Sequence, residues 1–162
     1  MQKEGEYMSM NTSIVYGYGF RLTYTPNSFK RWLILHQDSF KQTDKEIYLL
    51  EQMTELDEHI LDYNCLDFLF SDYYSEISNH CGPGAAIANI MSRETHIRFE
   101  YQPGQDDCGG EPHIMLTVGM PWHFNQIEKD CSEDSLDKIL EKYINELGLD
   151  EIPHEVTLEY YG

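Results

Sequence analysis

The residues best equipped for covalent chemistry stand together at His80-Cys81-Gly82-Pro83-Gly84. A thiol just ahead of a helix start feels the positive end of the helix dipole, which lowers its pKa. His80 is its neighbour in sequence, so a Cys-dependent hydrolase would use Cys81 as nucleophile and His80 as base. The segment lacks the rest of that machinery. Gly84 stands where a redox turn would carry a second cysteine, no strand leads into it, and no acid is positioned to orient the histidine. Cys81 is therefore expected to be a small buried residue at a tight turn. The run Gly82-Pro83-Gly84-Ala85-Ala86 could also cradle a phosphate at a helix N-terminus, as acetyltransferases hold acetyl-coenzyme A. No basic residue precedes it, and a helix-entry turn accounts for both glycines.

A metal site would have to draw on Asp106, Asp107, Cys108, Glu111 and His113, joined by His80, Cys81, His96 or His123. Neither Cys-x-x-Cys nor His-x-x-x-His spacing occurs, and the loop is not an EF-hand. Asp and Gly in a hairpin loop are ordinary turn residues. No metal and no cofactor is expected. The four cysteines (Cys65, Cys81, Cys108, Cys131) lack the dense spacing of a disulfide framework, and reduced thiols are expected. Pro121-Trp122-His123-Phe124 reads as core or interface packing.

Charge is the strongest signal. The 162 residues carry 29 Asp and Glu against 11 Lys and Arg, a net charge of −18, and the excess is uneven. Residues 1–45 hold six Lys or Arg and four Asp or Glu. From Glu46 to Ser92 there are nine carboxylates and no Lys or Arg. Such a surface repels nucleic acid, whose binding requires cations at the phosphates, and it repels anionic membranes. Its natural complement is a basic protein groove. If 44–63 is one helix, Glu51, Glu55, Glu58 and Asp62 recur three and four residues apart on its outer face. Their spacing is comparable to that of successive phosphates on a nucleic-acid strand, so a groove lined with Arg and Lys would accept them. Asp67 and Asp72 extend the acidic surface onto the next helical stretch. The alternative is an ordinary solvated helix face.

The elements that must position these residues follow from periodicity. Ser13 to Tyr24 alternates Ile14, Tyr16, Tyr18, Phe20, Leu22 and Tyr24 with smaller or polar residues, the pattern of a strand. Gly17 and Gly19 leave its other face bare, where a helix or backbone must pack closely. Thr25-Pro26-Asn27 starts a helix over Ser28–His36. Thr43-x-x-Glu46 is a capping box, after which Leu49, Met53, Leu56, Ile60 and Tyr63 form one apolar stripe. A second helical stretch is expected over Leu66–Ile77 and a short buried one over Ala85–Arg93. Ile97, Phe99 and Tyr101 form a strand, as do Ile114, Leu116, Val118 and Met120, with a hairpin loop over Pro103–Pro112. Ser132 caps a last helix ending at Gly148, and Val156, Leu158 and Tyr160 form a closing strand. The reading is an α+β fold, a mixed or antiparallel sheet of about four strands covered by helices, in the order β-α-α-α-β-β-α-β. Residues 1–12 are expected to be a flexible leader and 13–162 a single domain. The leader lacks an apolar signal core and no stretch reaches ~20 apolar residues, so a cytoplasmic location is expected.

In size, acidity and absence of enzyme motifs, the whole chain resembles small acidic proteins of phages and mobile elements, anti-CRISPR inhibitors among them. The resemblance rests on no shared motif and carries over no residue. It implies a non-enzymatic inhibitor that mimics nucleic acid and occupies a basic nucleic-acid-binding protein, an RNA-guided nuclease being one such partner. On this reading the chain contacts neither nucleic acid nor membrane directly. Two alternatives stay open: a small Cys-dependent hydrolase or acyltransferase using Cys81 or the Gly82–Gly84 turn, and an antitoxin-like or structural subunit.

Overall fold

The computed structural model describes residues 12–104, 111–118 and 133–161. The leader up to residue 11, Asp106, Asp107, Cys108, the Pro121–Phe124 patch, Cys131 and the Ser132 cap lie outside the described residues.

The alternation in the first apolar segment produces β1 (Thr12–Arg21), the inner strand around which the sheet is organised. It pairs antiparallel with β3 (His113–Thr117) on one side and β4 (His154–Tyr161) on the other. β2 (Glu100–Gln102) adds antiparallel to β3, giving the order β2-β3-β1-β4. The fold is α+β with a four-stranded antiparallel sheet. Gly17 and Gly19 are explained by close backbone approach, and the neighbour is β3 itself. A Cβ on Gly19 would collide with the Ile114 carbonyl oxygen and lie 2.6 Å from Met115 Cα.

Helices pack on the β1 face that carries Phe20. Thr25 caps α1 (Pro26–Leu35), with Pro26 in the first turn, where its missing N–H costs nothing. The helix buries Phe29, Trp32 and Leu33. A single turn, α2 (Gln37–Phe40), leads to α3 (Asp44–Glu55), which opens on the expected Thr43–Glu46 capping box. α5 (Pro83–Thr95) is the central helix: Pro83 to Met91 are all buried, as the Ala- and Ile-rich sequence predicts. α6 (Glu133–Leu147) lies beside α1, burying Leu136, Leu140, Tyr143, Ile144 and Leu147. On the opposite sheet face Met115, Val156 and Leu158 form a small separate cluster with Val15.

One expected element is broken. The helix predicted over 44–63 stops at Glu55, and Leu56 leaves it with an extended ψ of 131°. Its last turn has no basic residue, while Glu55, Asp57 and Glu58 place negative charge at the negative end of the helix dipole. Asp57 takes the His59 backbone N–H in a local turn, and Lys30 donates to the Leu56 carbonyl. Asp62 then caps a short new helix, α4 (Tyr63–Leu69). The interruption shifts the phase of the apolar stripe. Ile60 and Tyr63 are 65% and 52% exposed, and Leu61 is buried in their place. The helix expected over Leu66–Ile77 likewise ends at Leu69, and the chain returns through a narrow bridge between Tyr74 and Cys81. No helix among the described residues is long and apolar enough to cross a membrane.

Candidate functional site

The break in the helix decides which acidic residues act together. On α3 the buried side carries Leu49, Leu50 and Met53, and the outward side carries Tyr48, Glu51 and Glu55. Residues three and four apart on a helix are neighbours, so Glu51 and Glu55 form one carboxylate pair and Tyr48 extends it by a turn. Neither carboxylate has an ion-pair partner among the described residues. Both border a shallow depression of 380 Å³ with Gln37, Leu50 and Thr54.

The other expected contact residues are separated from this pair. Glu58 sits in the turn after α3 and faces Arg31 at 3.4 Å, with both side chains exposed. Asp62 is committed to capping α4, accepting the Cys65 N–H at 2.8 Å. Neither belongs to the α3 stripe, because the helix ends before them. Asp72 is paired with Lys45 at 2.7 Å, and this ammonium holds its carboxyl below the usual range. Asp67 is exposed on α4 beside Phe68, which is 83% exposed. Glu51, Glu55 and Asp67 are thus the expected contacts left without an ion partner or a capping role among the described residues.

The covalent candidates do not assemble. Cys81 is exposed, contrary to the expectation of burial, where it forms an antiparallel bridge with Tyr74. No hydrogen bond joins Cys81 to His80 among the described residues. Burial pushes the His80 imidazole below its ordinary range, and no carboxylate among the described residues hydrogen-bonds it. Gly82 adopts φ +108°, open to glycine alone at low cost, and supplies the sharp entry into α5. A Cβ on Gly84 would run into the Tyr101 ring, so close packing of α5 on β2 accounts for this glycine. His96 is an exposed left-handed cap of α5, remote in sequence from Glu111 and His113. No set of three His, Cys, Asp or Glu converges among the described residues.

Two polar clusters escaped the sequence reading. Glu46, 2% exposed, does more than close its capping box: it accepts from Tyr73 Oη at 2.6 Å and pairs with Arg93 at 2.8 Å. Arg93 also reaches Glu76 and the Ser39 and Phe40 carbonyls, tying α5 to α2 and α3. One residue further on, Glu94 meets His36. The two His36 ring nitrogens lie 2.8 Å from carboxylate oxygens of Glu94 and Glu146. Burial raises the Glu94 carboxyl, but hydrogen bonds from Ser39, His36 and Tyr143 outweigh it and hold the group below its usual range. Trp32 packs on the His36 ring at 4.4 Å and donates to Glu146. This cluster fastens α1, α5 and α6 together. Its hydrogen bonds join residues 49 to 114 positions apart in sequence, so no local spacing announces it.

No protein-family model and no solved structure matches the chain. Among curated proteins it is similar to Lon protease 1 of Bdellovibrio bacteriovorus, 22% identical over 120 residues. Those residues are 74% of this chain and 15% of that protein.

Proposed function

We propose that this protein is a non-enzymatic acidic binding protein that docks the outer face of α3 on the cationic groove of a nucleic-acid-binding protein and blocks it. The observation that carries the reading is the exposed Glu51–Glu55 pair beside Tyr48, without an ion-pair partner among the described residues, on a helix whose other side is locked into the core. A rigid helix face spends little entropy on binding, and an exposed tyrosine is a typical anchor residue. Asp67 and Phe68 on α4 repeat the same acidic and aromatic combination. A groove built for phosphates attracts such a face over a Debye length, ~8 Å at physiological salt. Small acidic inhibitors of RNA-guided nucleases, which the chain resembles in character, would engage their partners in this way.

The likeness to Lon protease 1 favours a second reading, that the chain shares one domain with a larger protease. The two separate in one experiment. The immobilised protein is offered a host lysate with and without competing DNA or RNA, and the retained proteins are identified. Retention of a nucleic-acid-binding protein that nucleic acid displaces and salt weakens supports the docking reading. Retention of a protease or its clients, indifferent to nucleic acid, supports the second. With the captured partner in hand, Glu51→Lys with Glu55→Lys is expected to weaken binding at least tenfold, ~1.4 kcal/mol. Glu141→Lys with Asp150→Lys, on another exposed surface, serves as the control. Equal effects of the two pairs would remove α3 as the docking face.

A further inference from the structure

β3 and β4 open with the same local pattern, a residue followed by Pro and His: Glu111-Pro112-His113 and Ile152-Pro153-His154. Proline holds the residue before it extended. In both copies the histidine Nδ1 then lies against the carbonyl oxygen two residues back, at 2.7 Å for Glu111 and 2.8 Å for Ile152. A carbonyl oxygen can only accept, so Nδ1 carries a proton in both rings. In a neutral ring this leaves Nε2 as a bare acceptor. Metal-ligating histidines are oriented in the same manner, with the non-ligating N–H given to a backbone carbonyl or carboxylate.

The sheet brings these two rings together. His154 is in register with Gly19 of β1, and His113 with Arg21, two residues further along the same face. Gly19 places no side chain between them. The ring centroids are 5.9 Å apart, with the planes at 72°. An Nε2–metal bond of about 2.0–2.1 Å puts a metal about 3.2 Å from each centroid, so ligand angles of about 110–130° need centroids roughly 5.2–5.8 Å apart. The observed 5.9 Å lies just beyond the upper end of that range. His113 is 7% exposed, and neither ring makes a further hydrogen bond among the described residues. Arg21, the nearby cation, is neutralised twice over, by Glu111 at 2.8 Å and Glu151 at 2.9 Å.

We propose that His113 and His154 form a two-histidine site for a divalent transition-metal ion of the zinc or nickel class, with water completing the coordination. Imidazole suits these ions, whereas magnesium and calcium require oxygen ligands. The proposal is independent of the docking face on α3, which lies in a different part of the chain.

The test is titration of the full chain with Zn²⁺, Ni²⁺ and Mg²⁺ by calorimetry, alongside ¹⁵N spectra of the histidine rings. One Zn²⁺ per chain is expected, with no response to Mg²⁺ and with Nε2 of His113 and His154 shifting on binding. His154→Ala, at the more exposed ring, is expected to weaken Zn²⁺ binding by about tenfold or more. His59→Ala, an exposed histidine in the turn after α3, is expected to leave it unchanged. Circular dichroism of each variant checks that the fold is retained, and the ring spectra of the unmutated chain test the site without any substitution. Absence of Zn²⁺ binding below about 1 mM, equal affinity in His154→Ala, or shifts confined to other histidines would overturn the proposal.

Discussion

Replacing Arg93 by Met removes the guanidinium while keeping much of the aliphatic stem, so the change isolates charge and hydrogen bonding from packing. Glu46 would be left 2% exposed without its cation. Breaking a buried pair from one side costs ~3–5 kcal/mol. Glu46 retains three donors, the Gln42 and Thr43 N–H groups and Tyr73 Oη, which points to the lower end of that range. The Ser39 and Phe40 carbonyls also lose their donor, at ~1 kcal/mol or less each because water can reach a side chain that is 21% exposed. The expected loss is ~3–4 kcal/mol, a large share of a typical ~5–15 kcal/mol stability. With a urea slope of ~2 kcal/mol/M, the midpoint should fall by ~1.5–2 M. Glu46→Gln should cost less, since the amide oxygen can still accept from the capping N–H groups. The double variant should be more stable than the sum of the two losses allows, by ~1.5–3 kcal/mol. A loss below ~1 kcal/mol for Arg93→Met, or strict additivity in the cycle, would mean that the pair does not hold α5 to α3.

Glu94 sets an acid-side expectation. Its carboxyl is held below the usual glutamate range, so its contribution is complete above the unfolded-state value of ~4.3 and fades as pH falls through the lower folded value. Urea unfolding between pH 6 and 3 should therefore lose stability more steeply in the wild type than in Glu94→Gln, and parallel curves would contradict the reading. Gly19→Ala should lower stability by ~2–3 kcal/mol, because the new methyl meets the backbone of β3 and not a movable side chain. At this chain length that is roughly 4–12 °C in melting temperature. Gly148→Ala, at φ +71° in open space, carries backbone strain alone and should lose only ~1 kcal/mol. Equal losses at the two sites would place the close contact elsewhere.

The elements that were legible in the sequence are those whose determinants are local. Thr25-Pro26 and Thr43-x-x-Glu46 announce two helix starts, Gly148 a helix stop, and the alternation through Phe20 an inner strand. The continuous helix over 44–63 failed because periodicity registers which side chains are apolar, not how well a helix end tolerates charge. Leu49, Met53 and Leu56 keep the right spacing up to the point where three carboxylates and no cation make the C-terminus unfavourable. Cys81 was misplaced for a related reason. The turn chemistry of Gly82-Pro83-Gly84 was read correctly, but the exposure of the residue before it depends on the Tyr74 bridge. The His113–His154 pair has no spacing signature, since its members are 41 positions apart and only strand register joins them.

The same distinction between local and assembled features changes the meaning of the net charge. The stretch from Glu46 to Ser92 contains no cation, yet cations from outside it are laid against it. Lys45 meets Asp72, Arg31 meets Glu58, and Arg93 meets both Glu46 and Glu76. A charge count along the sequence therefore overstates the local field, and a uniform acidic strip is the wrong picture. The excess itself cannot be folded away: with 29 carboxylates and 11 Lys and Arg, most carboxylates have no cation of their own within the chain. What the fold controls is where the unmatched ones stand. Exposed pairs such as Arg31–Glu58 are worth little to stability, ~0–1 kcal/mol, so a partner's guanidinium could displace them at small cost. Glu51 and Glu55 have no cation to displace among the described residues. A cationic partner of the proposed kind should engage α3 first and reach Glu58 only by competing with Arg31, so Arg31→Ala is the change that would widen the proposed docking face.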